Sequence, residues 1–210
     1  MNDGASRLDG GIRVVSAPFG GILVETALGG IAVNGGGTPD EMDGFYLAGG
    51  RPPAAIVLTT EHMHRSRGVA EFAERHGVTL VGSLIATSYL HLKSPERWEV
   101  LPPRRMTVEG IRLDLFNIRY DSLDPFALTV TVNDETVGIV PDGRLRSDDA
   151  DALARLRNCR KLFLANKLDR PPEMPRSLYL RYRGSYNSSE ELAELFQDYR
   201  GELVIDPNCR

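Results

Sequence analysis

The chain has little histidine and less cysteine: four histidines and two cysteines in 210 residues. Cys159 and Cys209 stand far apart and in no CxxC pattern, which argues against a disulfide framework and a thiolate zinc site. No apolar run approaches the roughly 18–20 residues of a membrane span. The opening Met-Asn-Asp-Gly-Ala-Ser lacks the basic and apolar regions of a signal peptide, so the expected location is the cytoplasm. An excess of one charge is also missing. With 25 Lys and Arg against 29 Asp and Glu, the net charge is −4, no footprint for a dedicated nucleic-acid or anionic-membrane binder. No Gly-Lys-Ser/Thr follows Gly20-Gly21 or Gly35-Gly36-Gly37, so these are turns and not phosphate loops. Gly-x-Ser-x-Gly is absent, and with it the serine-hydrolase elbow.

What is present suits a single α/β domain over residues 1–210, long enough to bury a two-sided sheet core. Strands are expected at 12–16, 22–26 and 31–34, separated by glycine turns. Thr38-Pro39-Asp40-Glu41 reads as a helix start, with Thr38 as N-cap, proline at the first helical position and Glu41 closing a capping box. Residues 54–58 form a short buried strand. Val69, Phe72, Ala73 and His76 repeat at helical spacing before the natural stop at Gly77. A strand at 78–81 and a helix at 84–92 follow. The second half repeats the layout, with strands at 97–101, 111–118, 126–132 and 136–140 and a hairpin turn at Asn133-Asp134. A helix capped by Ser147 is expected from Asp148 to about Arg157, then a strand at 161–165. Ser188 and Glu191 form a second capping box, and 203–205 is the last strand. Strands then helices, twice over, predict two sheets face to face with helices outside, a four-layer αβ/βα sandwich.

The chemistry is concentrated in Thr59-Thr60-Glu61-His62-Met63-His64-Arg65-Ser66-Arg67-Gly68, which follows an apolar strand and precedes a helix. This layout resembles the metallo-β-lactamase fold, whose strand ends in Thr-His-x-His-x-Asp-His-x-x-Gly. Thr59 and Gly68 match its two ends without a gap. Thr60 stands at the first ligand histidine, His62 at the second, His64 at the aspartate and Arg65 at the last histidine. The resemblance covers nearly the whole chain and is closest to the short single-domain YycJ-like branch. Ala32-Val33-Asn34-Gly35-Gly36 is similar to Leu-Ile-Asp-x-Gly, and Arg119-Tyr120-Asp121-Ser122 occupies the place of a His-Asp pair. Val140-Pro141-Asp142-Gly143 occupies that of the bridging aspartate. Phe163-Leu164-Ala165-Asn166 resembles Leu-Glu-Ala-Asn, and Tyr186 with Ser188 falls on the Gly-His-Leu-Ser segment. Asp206 falls where the last ligand histidine stands.

The resemblance implies a two-metal hydrolase of the phosphodiesterase or nuclease kind, in which imidazoles and carboxylates converge on two cations. This chain supplies too few histidines for that. His76 ends an amphipathic helix and His91 lies between Leu90 and Leu92, so both are read as structural. Thr60, Arg65, Tyr120 and Tyr186 are vestigial ligand positions, and the aspartate that would orient an imidazole is the neutral Asn34. What survives is His62 and Asp142, with His64 and Asp206 as altered but competent ligands, enough for one Zn, Mn or Fe if they converge. The competing expectation is metal-free: the fixed charge of Arg65 compensates Asp142 or Asp206 and repels a cation.

The leading reading is therefore a degenerate member without cofactor, acting as a binding, scaffold or regulatory partner of another protein or of a second copy. The alternative is a single-metal hydrolase. A third possibility is nucleic-acid contact through the arginine- and tyrosine-rich segment 170–186, with Arg181 and Arg183 on phosphates. That segment also reads as an exposed, proline-punctuated stretch whose arginines stay solvated.

Overall fold

The computed structural model describes residues 11–62, 66–88, 90, 97–99, 104–165, 167–168 and 174–206. The first six strands are β1 (Arg13–Ser16), β2 (Ile22–Glu25), β3 (Gly30–Val33), β4 (Ala55–Leu58), β5 (Thr79–Gly82) and β6 (Arg97–Glu99). They form one sheet in that order, antiparallel from β1 to β3 and parallel from β3 to β6. The second sheet holds β7 (Arg104–Val108), β8 (Ile111–Asn117), β9 (Phe126–Val132), β10 (Glu135–Val140), β11 (Lys161–Leu164) and β12 (Glu202–Ile205). It is antiparallel from β7 to β10 and parallel from β10 to β12.

The strand sequences explain the layering. In β3 and β4, Ile31, Val33, Ala55 and Val57 point to the central core, where they meet Leu113, Leu115, Leu128, Val130 and Ile139 of the other sheet. Their alternates Ala32, Ile56 and Leu58 face outward and are just as buried. A strand apolar on both faces needs a cover on both. On the first sheet the cover is α1 (Pro39–Tyr46) and α2 (Val69–His76), which contribute Met42, Tyr46, Val69 and Phe72. On the second it is α4 (Ala150–Arg157) and α6 (Ser189–Leu195), which contribute Leu153, Leu156 and Leu192. Two short helices, α3 (Leu84–Ser88) and α5 (Arg176–Tyr182), complete the order. The architecture is the expected four-layer sandwich. Among the described residues no helix is long and apolar enough to cross a membrane.

Local signals held where short-range chemistry controls them. Thr38 caps α1: its hydroxyl accepts from the Glu41 N–H at 3.3 Å while the Glu41 carboxylate accepts from the Thr38 N–H at 2.7 Å. Thr38→Ala is expected to cost about 1 kcal/mol, read as a lower urea midpoint, whereas Thr38→Ser should leave the midpoint unchanged. Asn133 adopts φ 53 in the β9–β10 turn, the left-handed conformation that asparagine tolerates.

Three expectations need correction. The helix after β10 begins at Ala150 with Asp149 as N-cap, not at Asp148 under Ser147. The Asp149 carboxylate instead accepts from the Arg146 N–H at 2.9 Å, and Asp149 N–H donates to the Arg146 carbonyl, so 146–149 close a turn before the helix starts. Strand β7 was not expected, because Arg104, Arg105 and Thr107 are exposed and only Val108 is buried, the pattern of a charged edge strand. Within the stretch read as exposed and proline-punctuated, where no helix was expected, residues 176–182 form α5 after Pro175. The expected extensions of β6 to 101 and of α3 to 92 run into residues outside those described. His91 is among these. His76 ties α2 to α1: its Nε2 lies 2.7 Å from Asp43 Oδ1, and its ring packs on Phe72 at 4.8 Å.

Candidate functional site

The chain segments carrying the site leave the two sheets at the same end. Asn34 follows β3, Thr59 and Thr60 follow β4, Asp142 lies just beyond β10, and Asp206 directly follows β12. The carboxyl ends of parallel strands are where open α/β sheets gather their ligands. Two backbone bonds keep the second sheet's exits together: Ala165 N–H donates to the Val140 carbonyl at 2.8 Å and Asp206 N–H to Leu164 at 2.9 Å. A third joins the sheets, from Phe126 N–H to the Thr59 carbonyl at 3.3 Å.

Asn34 is fully buried with φ 59. Its carbonyl oxygen Oδ1 accepts from the Thr59 N–H at 3.1 Å, its amide lies 3.0 Å from Thr59 Oγ1, and Tyr46 donates its hydroxyl to the Asn34 backbone carbonyl at 3.2 Å. Burial pushes the Tyr46 phenol well above its ordinary range, which keeps it a donor. Asn34 therefore fixes the exit of β4 through Thr59.

The next residues reach across to the β8–β9 loop. Thr60 Oγ1 donates to Ser122 Oγ at 3.2 Å, and Ser122 donates to the Glu61 carboxylate. Glu61 also accepts from the Leu123 N–H at 3.2 Å. Burial opposes the charge of Glu61, but the bonds from Ser122 and Leu123 and the nearby His62 hold its carboxyl below the usual range. His62 Nε2 lies 2.7 Å from the Asp121 carbonyl. A carbonyl accepts only, so Nε2 carries a proton and donates. The His62 ring packs edge-on against Tyr120 at 5.2 Å, and the Tyr120 and Tyr186 hydroxyls are 2.7 Å apart.

Of the residues singled out in the sequence, the structure thus brings together His62, Tyr120 and Tyr186, with Thr60 joined to the same loop through Ser122. Asp142 and Asp206 are both buried, at 2% and 5% exposure, beyond the ends of β10 and β12, which β11 separates. His64 and Arg65 lie outside the described residues, as does the side chain of Arg181. Arg183 caps α5 and is exposed, and its carbonyl accepts from Arg144 Nη1 at 2.6 Å. Among the described residues, no three His, Cys, Asp or Glu side chains form a group able to hold a metal.

Three residues that the sequence did not single out organise this end. Glu61 and Ser122 bind the first sheet's exit to the β8–β9 loop. Asn187, buried next to Tyr186, pairs its amide with both backbone groups of Leu145 at 2.9 Å and so holds the loop that carries Asp142. Ser122 and Glu61 lay inside conspicuous segments, but their pairing spans 61 residues and had no local signal.

No protein-family model matches the sequence, and no curated protein matches it. Solved structures do match. A metallo hydrolase from Ignicoccus hospitalis superposes with a TM-score of 0.67 at 14% identity, over 95% of this chain and 85% of that one. The metallo-β-lactamase fold protein YhfI from Bacillus subtilis gives 0.66 at 12% identity, over 89% and 88%. The short form of human tRNase Z gives 0.65 at 12% identity, over 88% and 84%. Likeness at such identities concerns architecture only. With its paired mixed sheets, outer helices and site-bearing strand exits, the chain has the metallo-β-lactamase fold.

Proposed function

We propose that this chain is a degenerate metallo-β-lactamase-fold protein, of the YycJ-like kind and cytoplasmic, that serves as a non-catalytic binding or regulatory partner of another protein or of a second copy. The carrying observation is the hydrogen bond from His62 Nε2 to the Asp121 carbonyl at 2.7 Å. A nitrogen that holds a proton for a carbonyl has no lone pair for a cation, so His62 keeps only Nδ1 as a ligand atom. Thr60, Tyr120 and Tyr186, at three further ligand stations, offer neutral hydroxyls already engaged with Ser122 or with each other. This donor set does not fit two metal ions. Arg65 is the cation we assign to the buried carboxylates in a metal's stead. It would keep them compensated at any pH in the ordinary range.

A single-metal hydrolase remains the second reading. It is favoured by the burial of both Asp142 and Asp206, and by hydrolases among the similar folds, a metallo hydrolase and a tRNase Z. Its ligands would be His62 through Nδ1, His64, Asp142 and Asp206, with Zn, Mn or Fe.

Metal content separates the two. Untagged protein purified without chelator should carry well under one metal per chain, with no change in His62→Ala or His64→Ala. One transition metal per chain, lost in either variant, would establish the hydrolase reading instead. Nucleic-acid contact through Arg181 and Arg183 predicts salt-sensitive binding of a single strand, weakened in Arg181→Ala and Arg183→Ala.

A further inference from the structure

The loop between β8 and β9 has almost no apolar anchor at its tip. Asp121 is exposed, and Leu123 is 69% exposed, an unusual position for a leucine. Yet the loop is fastened over the end of β4. Glu61 accepts from two consecutive residues, from the Ser122 hydroxyl at one carboxylate oxygen and from the Leu123 N–H at the other. Thr60 donates to the same Ser122 oxygen, and His62 donates to the Asp121 carbonyl. The root of the loop is closed separately, by Ile118 N–H to the Pro125 carbonyl at 3.3 Å and by Phe126 N–H to Thr59. A segment held by hydrogen bonds rather than by burial belongs to the least stable part of a fold and opens locally without global unfolding.

We propose that residues 121–124 are a strap over the site end, latched by Glu61, whose release uncovers His62; Arg119 and Tyr120 before it stay fastened to Arg144 and Tyr186. The closed root at Ile118 and Pro125 confines the motion to the tip. Glu61 is the latch because a carboxylate accepts both bonds at once, and charge-assisted bonds of this kind are about twice as strong as neutral ones. Without it, Ser122 and Leu123 lose their common acceptor. Thr60 and His62 still reach its tip, at Ser122 and at Asp121. The strap shares the His62–Asp121 bond with the functional proposal above, but its latch is Glu61, so a failed exchange test leaves the metal-content test of that proposal untouched.

Hydrogen–deuterium exchange on the full chain, followed by mass spectrometry, tests it. In Glu61→Ala, amide exchange in residues 121–124, above all at Leu123, should accelerate at least about tenfold, while β8 and β9 keep the wild-type rate. Carbethoxylation of His62 by diethyl pyrocarbonate should rise several-fold relative to His76, which sits at a different interface against Asp43. Glu61→Gln, which keeps an acceptor oxygen at the same reach, should fall between wild type and alanine, and it decides the matter if the alanine variant does not fold. Unchanged exchange at 121–124 overturns the proposal. So does acceleration shared equally with β8 and β9, which would make Glu61 a support of the whole fold, and so does unchanged His62 reactivity.

Discussion

Replacing Gly68 with alanine is expected to destabilise the protein by about 3 kcal/mol or more, at the upper end of overpacking costs. Gly68 precedes α2 with φ −99, a conformation open to any residue, so conformational freedom is not why glycine stands there. The reason is close approach. A Cβ on Gly68 would lie 2.2 Å from the Gly37 carbonyl oxygen and 3.0 Å from both Met42 Sδ and the Thr38 carbonyl carbon. Met42 can shift by rotating, but Gly37 and Thr38 present backbone at the start of α1. Relief would have to move the N-terminus of one helix away from the other, loosening the contact of Val69 and Phe72 with the sheet. Gly77 is the internal control. It adopts φ +64, and a methyl added there would meet nothing within 4 Å, so alanine faces only the left-handed backbone penalty of about 1–2 kcal/mol. Denaturant midpoints of the two variants decide. If Gly68→Ala proved as mild as Gly77→Ala, the packing explanation would be wrong.

Asn187→Leu should cost about 2–5 kcal/mol, the penalty for leaving two buried backbone groups without partners. Asn187 is 1% exposed, and its side-chain amide bonds Leu145 as a neighbouring strand would: Oδ1 accepts from the Leu145 N–H and Nδ2 donates to the Leu145 carbonyl. Its own carbonyl accepts from the Leu168 N–H at 2.8 Å, so one residue clamps the exits of β10 and β11 to the segment entering α6. Leucine matches asparagine in bulk but pairs with neither group. Asn187→Asp retains the acceptor and loses the donor, and it also sets a carboxylate against the Leu145 carbonyl, so it too should destabilise. Urea unfolding measures both. A loss below about 1 kcal/mol in Asn187→Leu would show that solvent or a shifted loop satisfies Leu145 after all.

Elements whose cause is local were legible in the sequence. Thr38 and Glu41, and Ser188 and Glu191, each form a capping box because the partners sit three residues apart and meet whenever the helix forms. The apolar runs of β3 and β4 marked strands buried on both faces. Strand β7 escaped notice because an edge strand exposes charge and offers little apolar alternation. Its turn did carry a signal, since Glu109 and Gly110 both adopt positive φ between β7 and β8, and a residue-glycine pair between strands is a hairpin mark. Helix α5 was hidden by the prolines before it, one of which, Pro175, stands at its N-cap position without a capping bond.

The sequence by itself determined the fold class and the order of nearly every element. Both follow from periodicity, turn residues and a spaced resemblance, which are properties of neighbours along the chain. Only the tertiary structure decided what the residues of the site end do to one another. His62 donates to Asp121 across 59 residues, Thr60 to Ser122 across 62, and Tyr120 meets Tyr186 across 66. Such pairings depend on how two sheets and their loops pack. A ligand station read from a motif is therefore a location, and its chemistry is set by the partners that packing brings within hydrogen-bonding reach.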